Sequence, residues 1–137
     1  MKISFSTLAC PNWSWSDIYS MAKDFGFDGI EIRGLGDEIF SVKAQPFTEG
    51  QLPATIAKLK SLGLEISCLS SGACLKFIDK FDEIKAEITA YAQLASKLGV
   101  SYIRILGDLD PAPMGDVDDD YVAEVLTKLV PLPRSIM

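Results

Sequence analysis

Glu31 and Arg33 stand two residues apart in the run Gly29-Ile30-Glu31-Ile32-Arg33, with Ile30 and Ile32 alternating between them. In an extended strand this spacing puts the two charges on one face and the isoleucines on the other. A carboxylate and a guanidinium on a shared face either pair internally or offer a ligand one acceptor and one planar donor fork. Arg104 repeats the pattern between Ile103 and Ile105. It reads as a partner for Glu31 or as a contact for hydroxyl or phosphate oxygens. Ser70, Ser71 and Gly72 close another apolar run. Their small polar groups suit either a ligand contact, with Ser71 the candidate, or a turn. Trp13 and Trp15 follow the first apolar run. An indole there packs the loop or lends an apolar wall to a bound molecule, and Trp13 is the candidate for the second role.

Other chemistry is limited by what is missing. The chain has no histidine, which removes the commonest general base and transition-metal ligand. Cys10, Cys68 and Cys74 have no histidine to activate them and no close spacing that suits zinc, so neither a nucleophile nor a metal ligand is assigned. An odd cysteine count reads as reduced thiols of a cytoplasmic protein. Asp116, Asp118, Asp119 and Asp120 suit the first turn of a helix better than a cation site. The net charge of −6 disfavours a phosphate backbone, so nucleic acid is not an expected partner. No apolar run reaches the length of about 20 residues needed to cross a bilayer, and the first residues lack the apolar core of a secretory signal. The length fits one domain, and a composition 48% hydrophobic and 23% charged is that of a globular chain.

The elements that hold these residues follow from a repeat. Gly26, Gly63 and Gly99 recur about 36 residues apart, each after an amphipathic stretch and before a β-branched run. This predicts helices stopped by glycine and followed by buried strands. Strands are expected over Lys2–Leu8, Gly29–Arg33, Leu64–Ser70 and Tyr102–Leu106. Helices are expected over Asp17–Phe25 with Ser16 as N-cap, up to Leu62 with a Thr48–Gln51 capping box, and from Asp79 to Leu98. A fourth is expected from a cap at Asp116 or Asp118 to about Val130. Pro111 and Pro113 form a loop between. The order βαβαβαβα makes residues 1–130 four βα units of a single partial domain, with 131–137 an irregular tail. Parallel strands with helices outside send Ile30, Ile32, Ile103 and Ile105 outward and Glu31, Arg33 and Arg104 inward.

Phe27-Asp28-Gly29-Ile30-Glu31-Ile32-Arg33-Gly34 resembles the second-strand motif of the sugar phosphate isomerase/epimerase family, the xylose-isomerase-like TIM barrels. Lys2-Ile3-Ser4-Phe5-Ser6-Thr7-Leu8 and Ala95-Ser96-Lys97-Leu98-Gly99-Val100 match its habit as well. The resemblance covers the chain to about Val130. It implies a (β/α)8 barrel and aldose–ketose isomerisation or epimerisation of a sugar-like substrate, often with a divalent metal. The family's metal ligands and acid/base carboxylates lie on later strands, so none is carried onto this chain. It reads as the N-terminal (βα)4 half of such a barrel, with Glu31, Arg33, Arg104, Trp13 and Ser71 as substrate-binding residues. Alone it is expected to be inactive.

Two other expectations follow from the repeat count. Half a barrel leaves both outer strands unpaired, and two copies would complete eight strands as a homodimer. A flavodoxin-like open sheet serving as a binding module is the competing architecture, and its first strand would lie inside the sheet.

Overall fold

The structure, a computed structural model, describes residues 1–109 and 118–129. Its strands are β1 (Ser4–Ser6), β2 (Gly29–Ile32), β3 (Glu65–Cys74) and β4 (Ile103–Leu106). Its helices are α1 (Trp15–Asp24), α2 (Leu52–Leu62), α3 (Phe81–Leu98) and α4 (Asp119–Leu129). The strands form one parallel sheet in the order β1-β2-β3-β4. α1, α2 and α3 each return the chain to the neighbouring strand, which is how successive units of a βα barrel are laid down. A flavodoxin-like sheet would place β1 between two strands; here it forms an edge. The cap at Asp116, the Pro111–Pro113 loop, Val130 and the tail 131–137 lie outside the described residues.

Helix ends follow side-chain chemistry. Ser14, not Ser16, caps α1: its hydroxyl accepts the Asp17 N–H at 3.2 Å and donates to the Asp17 carboxylate at 2.6 Å. Ser16 falls inside the first turn and meets only the Ser14 hydroxyl. The expected Thr48–Gln51 box is absent. The Thr48 hydroxyl donates backward to the Gln45 carbonyl, and Gln51 makes no side-chain cap. Pro53 sits in the first turn of α2, where the missing N–H leaves no bond broken. Asp118 accepts the N–H groups of Asp120 and Tyr121 at the start of α4, the N-cap arrangement. Gly63 and Gly99 end α2 and α3 at φ +69 and +71, a left-handed turn that costs glycine nothing.

Three boundaries differ from expectation. β1 keeps only Ser4–Ser6, because Thr7–Ala9 winds into a 3-10 turn whose start is capped by the Ser6 hydroxyl. α3 begins at Phe81 rather than Asp79, after a separate 3-10 turn over Ile78–Lys80. β3 runs on to Cys74, past the turn expected at Ser70-Ser71-Gly72. The core lies between sheet and helices. Ile30 and Ile32 are fully buried among Ile18, Ala22, Leu59 and Leu94, while Ala73, Leu75 and Ile84 pack with Val125 and Leu129 of α4. Each isoleucine, leucine or valine among these contributes about 1.5–3 kcal/mol by leaving water.

Candidate functional site on the inner face of the sheet

With the isoleucines committed to the helices, the opposite face of the sheet carries the polar groups. Lateral pairing sets Ser6, Glu31 and Cys68 on one line, and Ser70 pairs with Arg104 two residues further on, on the same face. The register between β2 and β3 slips after Ile30–Ile66, so Glu31 faces Cys68 and Ser67 is the extra residue. A one-residue slip exchanges the two faces of a strand. Here it keeps Leu69 in the core and turns Ser70, rather than Leu69, toward Glu31.

The Ser70 hydroxyl, almost fully buried, donates to Glu31 Oε1. Glu31 is half-buried and Arg104 exposed on this open face. Among the described residues neither the Arg33 nor the Arg104 guanidinium makes an ion pair. The internal pair that Glu31 and Arg33 were free to make is therefore not formed. Cys68 reports the local field: burial, then the Glu31 carboxylate, pushes its thiol pKa up, while the Arg104 backbone and charge and the Ser70 hydroxyl pull it down. Glu31, Cys68, Ser70 and Arg104 thus form one electrostatic neighbourhood across three strands.

The remaining candidates sit elsewhere. Arg33 lies just beyond the end of β2, half-buried, and its N–H donates to Thr7 Oγ1 at 2.8 Å. Ser71 is 2% exposed, and its hydroxyl is used by the Arg104 carbonyl at 2.9 Å, bracing β3 against β4. Trp13 is 44% exposed in the loop after β1, on the side of the sheet where strands end. Trp15 instead packs edge-on against Tyr19 and Phe47.

Two arrangements escaped the sequence reading. Thr7, buried, accepts from Arg33 and donates to the Gly34 carbonyl; the Gly34 N–H donates to Ser41 Oγ, and the Ser41 N–H to the Tyr91 hydroxyl. This chain of bonds anchors the loop that leaves β2, and neither Thr7, Ser41 nor Tyr91 carries a local signal for it. The second is an ion pair at the ends of β3 and β4, Lys76 Nζ to Asp108 Oδ1 at 2.6 Å, with side chains only 21% and 7% exposed.

A cleft of about 640 Å³ opens at the other end of the sheet, between the last turns of α2 and α3, lined by Ile56, Lys60, Leu98 and Tyr102 among others. It lies where strands begin, whereas barrel enzymes place their chemistry where strands end. Among the described residues no three His, Cys, Asp or Glu side chains come together to hold a metal. A single carboxylate bonded to Ser70 beside one protonated thiol does not fit such a centre.

No family model matches the chain, and no curated protein sequence does. Solved structures do. The chain is similar to AsbF, a probable 3-DHS dehydratase from Bacillus anthracis, with TM-score 0.70 and 22% identity over 94% of this chain and 46% of that one. It is similar to the IolI protein solved with a zinc atom, with TM-score 0.70 and 17% identity over 99% of this chain and 49% of that one. A third is YcjR, a 3-keto-D-glucoside 4-epimerase from E. coli, with TM-score 0.67 and 16% identity over 99% of this chain and 51% of that one. The chain spans about half the length of each. At these identities the likeness is one of fold. The four parallel strands and their helices have the fold of half a TIM barrel.

Proposed function

We infer that this chain forms the substrate-facing wall of a sugar isomerase or epimerase and supplies binding groups rather than the catalytic base. The observation that carries the reading is Glu31, fixed by Ser70 and flanked by Arg104, on the face turned away from the helices. Isomerisation and epimerisation both remove a proton beside a carbonyl, and negative charge develops on the carbonyl oxygen. Arg104 suits that oxygen or a neighbouring hydroxyl, because its planar fork donates two bonds at once. Glu31, oriented by the Ser70 hydroxyl, accepts from sugar hydroxyls and holds the ring in one register. Trp13, exposed in the loop after β1, covers an apolar ring face from the rim on this reading.

A general base and any divalent metal belong, on this reading, to a complementary half, and the 137-residue chain alone does not turn over. The fold neighbours support the class of reaction: one is named a keto-sugar epimerase and another a probable dehydratase. Three free thiols are in keeping with a cytoplasmic setting. Among the described residues no helix is long and apolar enough to cross a membrane.

The test is an NMR titration of the isolated chain with D-fructose as the probe ketose. The amides around Glu31, Ser70 and Arg104 are expected to shift at millimolar sugar, and Glu31→Gln or Arg104→Gln to abolish the response. Shifts that persist in both variants, or turnover of a sugar by the pure chain, overturn the reading.

A further inference from the structure

Ile32, Leu69 and Ile103 lie level across β2, β3 and β4, and all three pack toward the helices. The next residue on each strand therefore faces inward. These residues are Arg33, Ser70 and Arg104, of which Ser70 and Arg104 are themselves paired. Arg33, one position past β2, thus completes a row with a guanidinium on either side of Ser70. Strands about 4.8 Å apart put the two arginine Cα atoms about 10 Å apart.

The carboxylates closest in sequence to Arg33 are engaged elsewhere. Glu31, two residues back on the same face, takes the Ser70 hydroxyl. Glu38, on the loop after β2, accepts the Phe40 N–H at 3.0 Å. Among the described residues the half-buried Arg33 guanidinium makes no ion pair, and a charge drawn partly out of water without a counter-charge is costly. Its backbone is nonetheless fixed. The Arg33 N–H donates to Thr7 Oγ1 at 2.8 Å, and the same hydroxyl, on a residue only 2% exposed, donates to the Gly34 carbonyl.

We propose that Arg33 selects the substrate by an anionic substituent, a carboxylate or a phosphate, at the end of the molecule away from the carbonyl that Arg104 addresses. The assignment rests on the sugar-binding reading above and adds the class of sugar: an acidic one. Two forks on strands either side of β3 suit the two ends of a pentose or hexose better than one oxygen. Carboxylate and phosphate both offer a pair of oxygens to a planar fork, so Arg33 accepts either. The chain's net charge of −6 repels anions in general. Retention of an acidic sugar therefore needs a local cation, and Arg33 is the one whose place is set by a buried hydroxyl.

Amide NMR titrations of the 137-residue chain with D-fructose, D-fructose 6-phosphate and D-fructuronate separate the cases. One of the two acidic probes is expected to bind about tenfold tighter than D-fructose, the gain of one charge-assisted bond, and the arm that does so names the anion. Arg33→Gln is expected to erase that preference with circular dichroism unchanged. Arg33→Lys, which keeps the charge and loses the fork, is expected to retain part of it. In the native chain, raising NaCl from about 50 to about 300 mM is expected to narrow the preference, because screening weakens the ionic contact. Equal affinity for all three probes overturns the proposal and leaves the sugar-facing wall standing. A preference that survives Arg33→Gln overturns it too, since the anion is then held elsewhere. So does inorganic phosphate binding as tightly as the sugar phosphate, because nothing then joins the anion to a sugar. Failure of every probe, D-fructose included, overturns the wall and this proposal together.

Discussion

Ser70 and Glu31 meet although 39 residues separate them in the chain, and the consequence is a thiol that reports on the carboxylate. Burial and then Glu31 raise the Cys68 pKa, so the folded protein holds that proton more tightly than the unfolded chain. The associated stability is fully present below the unfolded thiol's pKa, about 8.5, and is lost as pH rises through the raised folded value. Alkylation of Cys68 by iodoacetamide, followed by peptide mass spectrometry, is expected to begin at a more alkaline pH than for a free thiol. Glu31→Gln removes one of the two upward causes and moves the onset to lower pH. An onset indifferent to that substitution would separate Cys68 from the site. Tyr91→Phe acts on the neighbouring loop. It leaves the Ser41 N–H, on a residue with no exposed surface, without its acceptor. The expected loss is about 1–3 kcal/mol in urea unfolding.

How far these residues were legible depends on how local their causes are. The inward placement of Glu31 and Arg104 follows from alternation with isoleucine alone, which any strand imposes. The bond from Ser70 does not, because it depends on the extra residue Ser67 in β3. Straight pairing from Gly29–Glu65 would have faced Glu31 with Ser67 and sent Ser70 to the helices. Nothing in the local run marks that slip.

At the scale of elements, the helix ends were legible wherever glycine had to turn left-handed, and the strands wherever β-branched runs followed. The lengths were not. Ser70-Ser71-Gly72 has turn composition, yet it continues β3 because the Gly72 N–H reaches Glu87 on α3 at 2.7 Å and Ser71 bonds across to β4. Tertiary partners outweighed propensity there. Gly29 shows the converse, a glycine required by packing rather than by φ. A Cβ at that position would lie 2.6 Å from Ser4 Oγ and 3.1 Å from the Glu65 carbonyl. The serine hydroxyl can rotate away; the carbonyl belongs to the backbone of the adjacent strand. Gly29→Ala is expected to cost about 1–3 kcal/mol, read as a lowered Tm. Gly99→Ala meets no atom and suffers only the left-handed backbone, with a cost of about 1 kcal/mol. Equal losses in the two variants would contradict the packing argument.

At the scale of the whole molecule, the sheet is unequally supported. β2 and β3 each have strands on both sides, and Ile30, Ile32, Ile66 and Leu69 seal them against the helices. Among the described residues β1 and β4 have a strand on one side only. Amide exchange follows such differences, because an amide unpaired at an edge exchanges without any unfolding, while one inside the sheet waits for a larger opening. In dilute solution the outward-pointing amides of β1 and β4 are therefore expected to exchange fast and those of β2 and β3 slowly. Equal exchange rates across all four strands would contradict this ranking of the sheet by its lateral support.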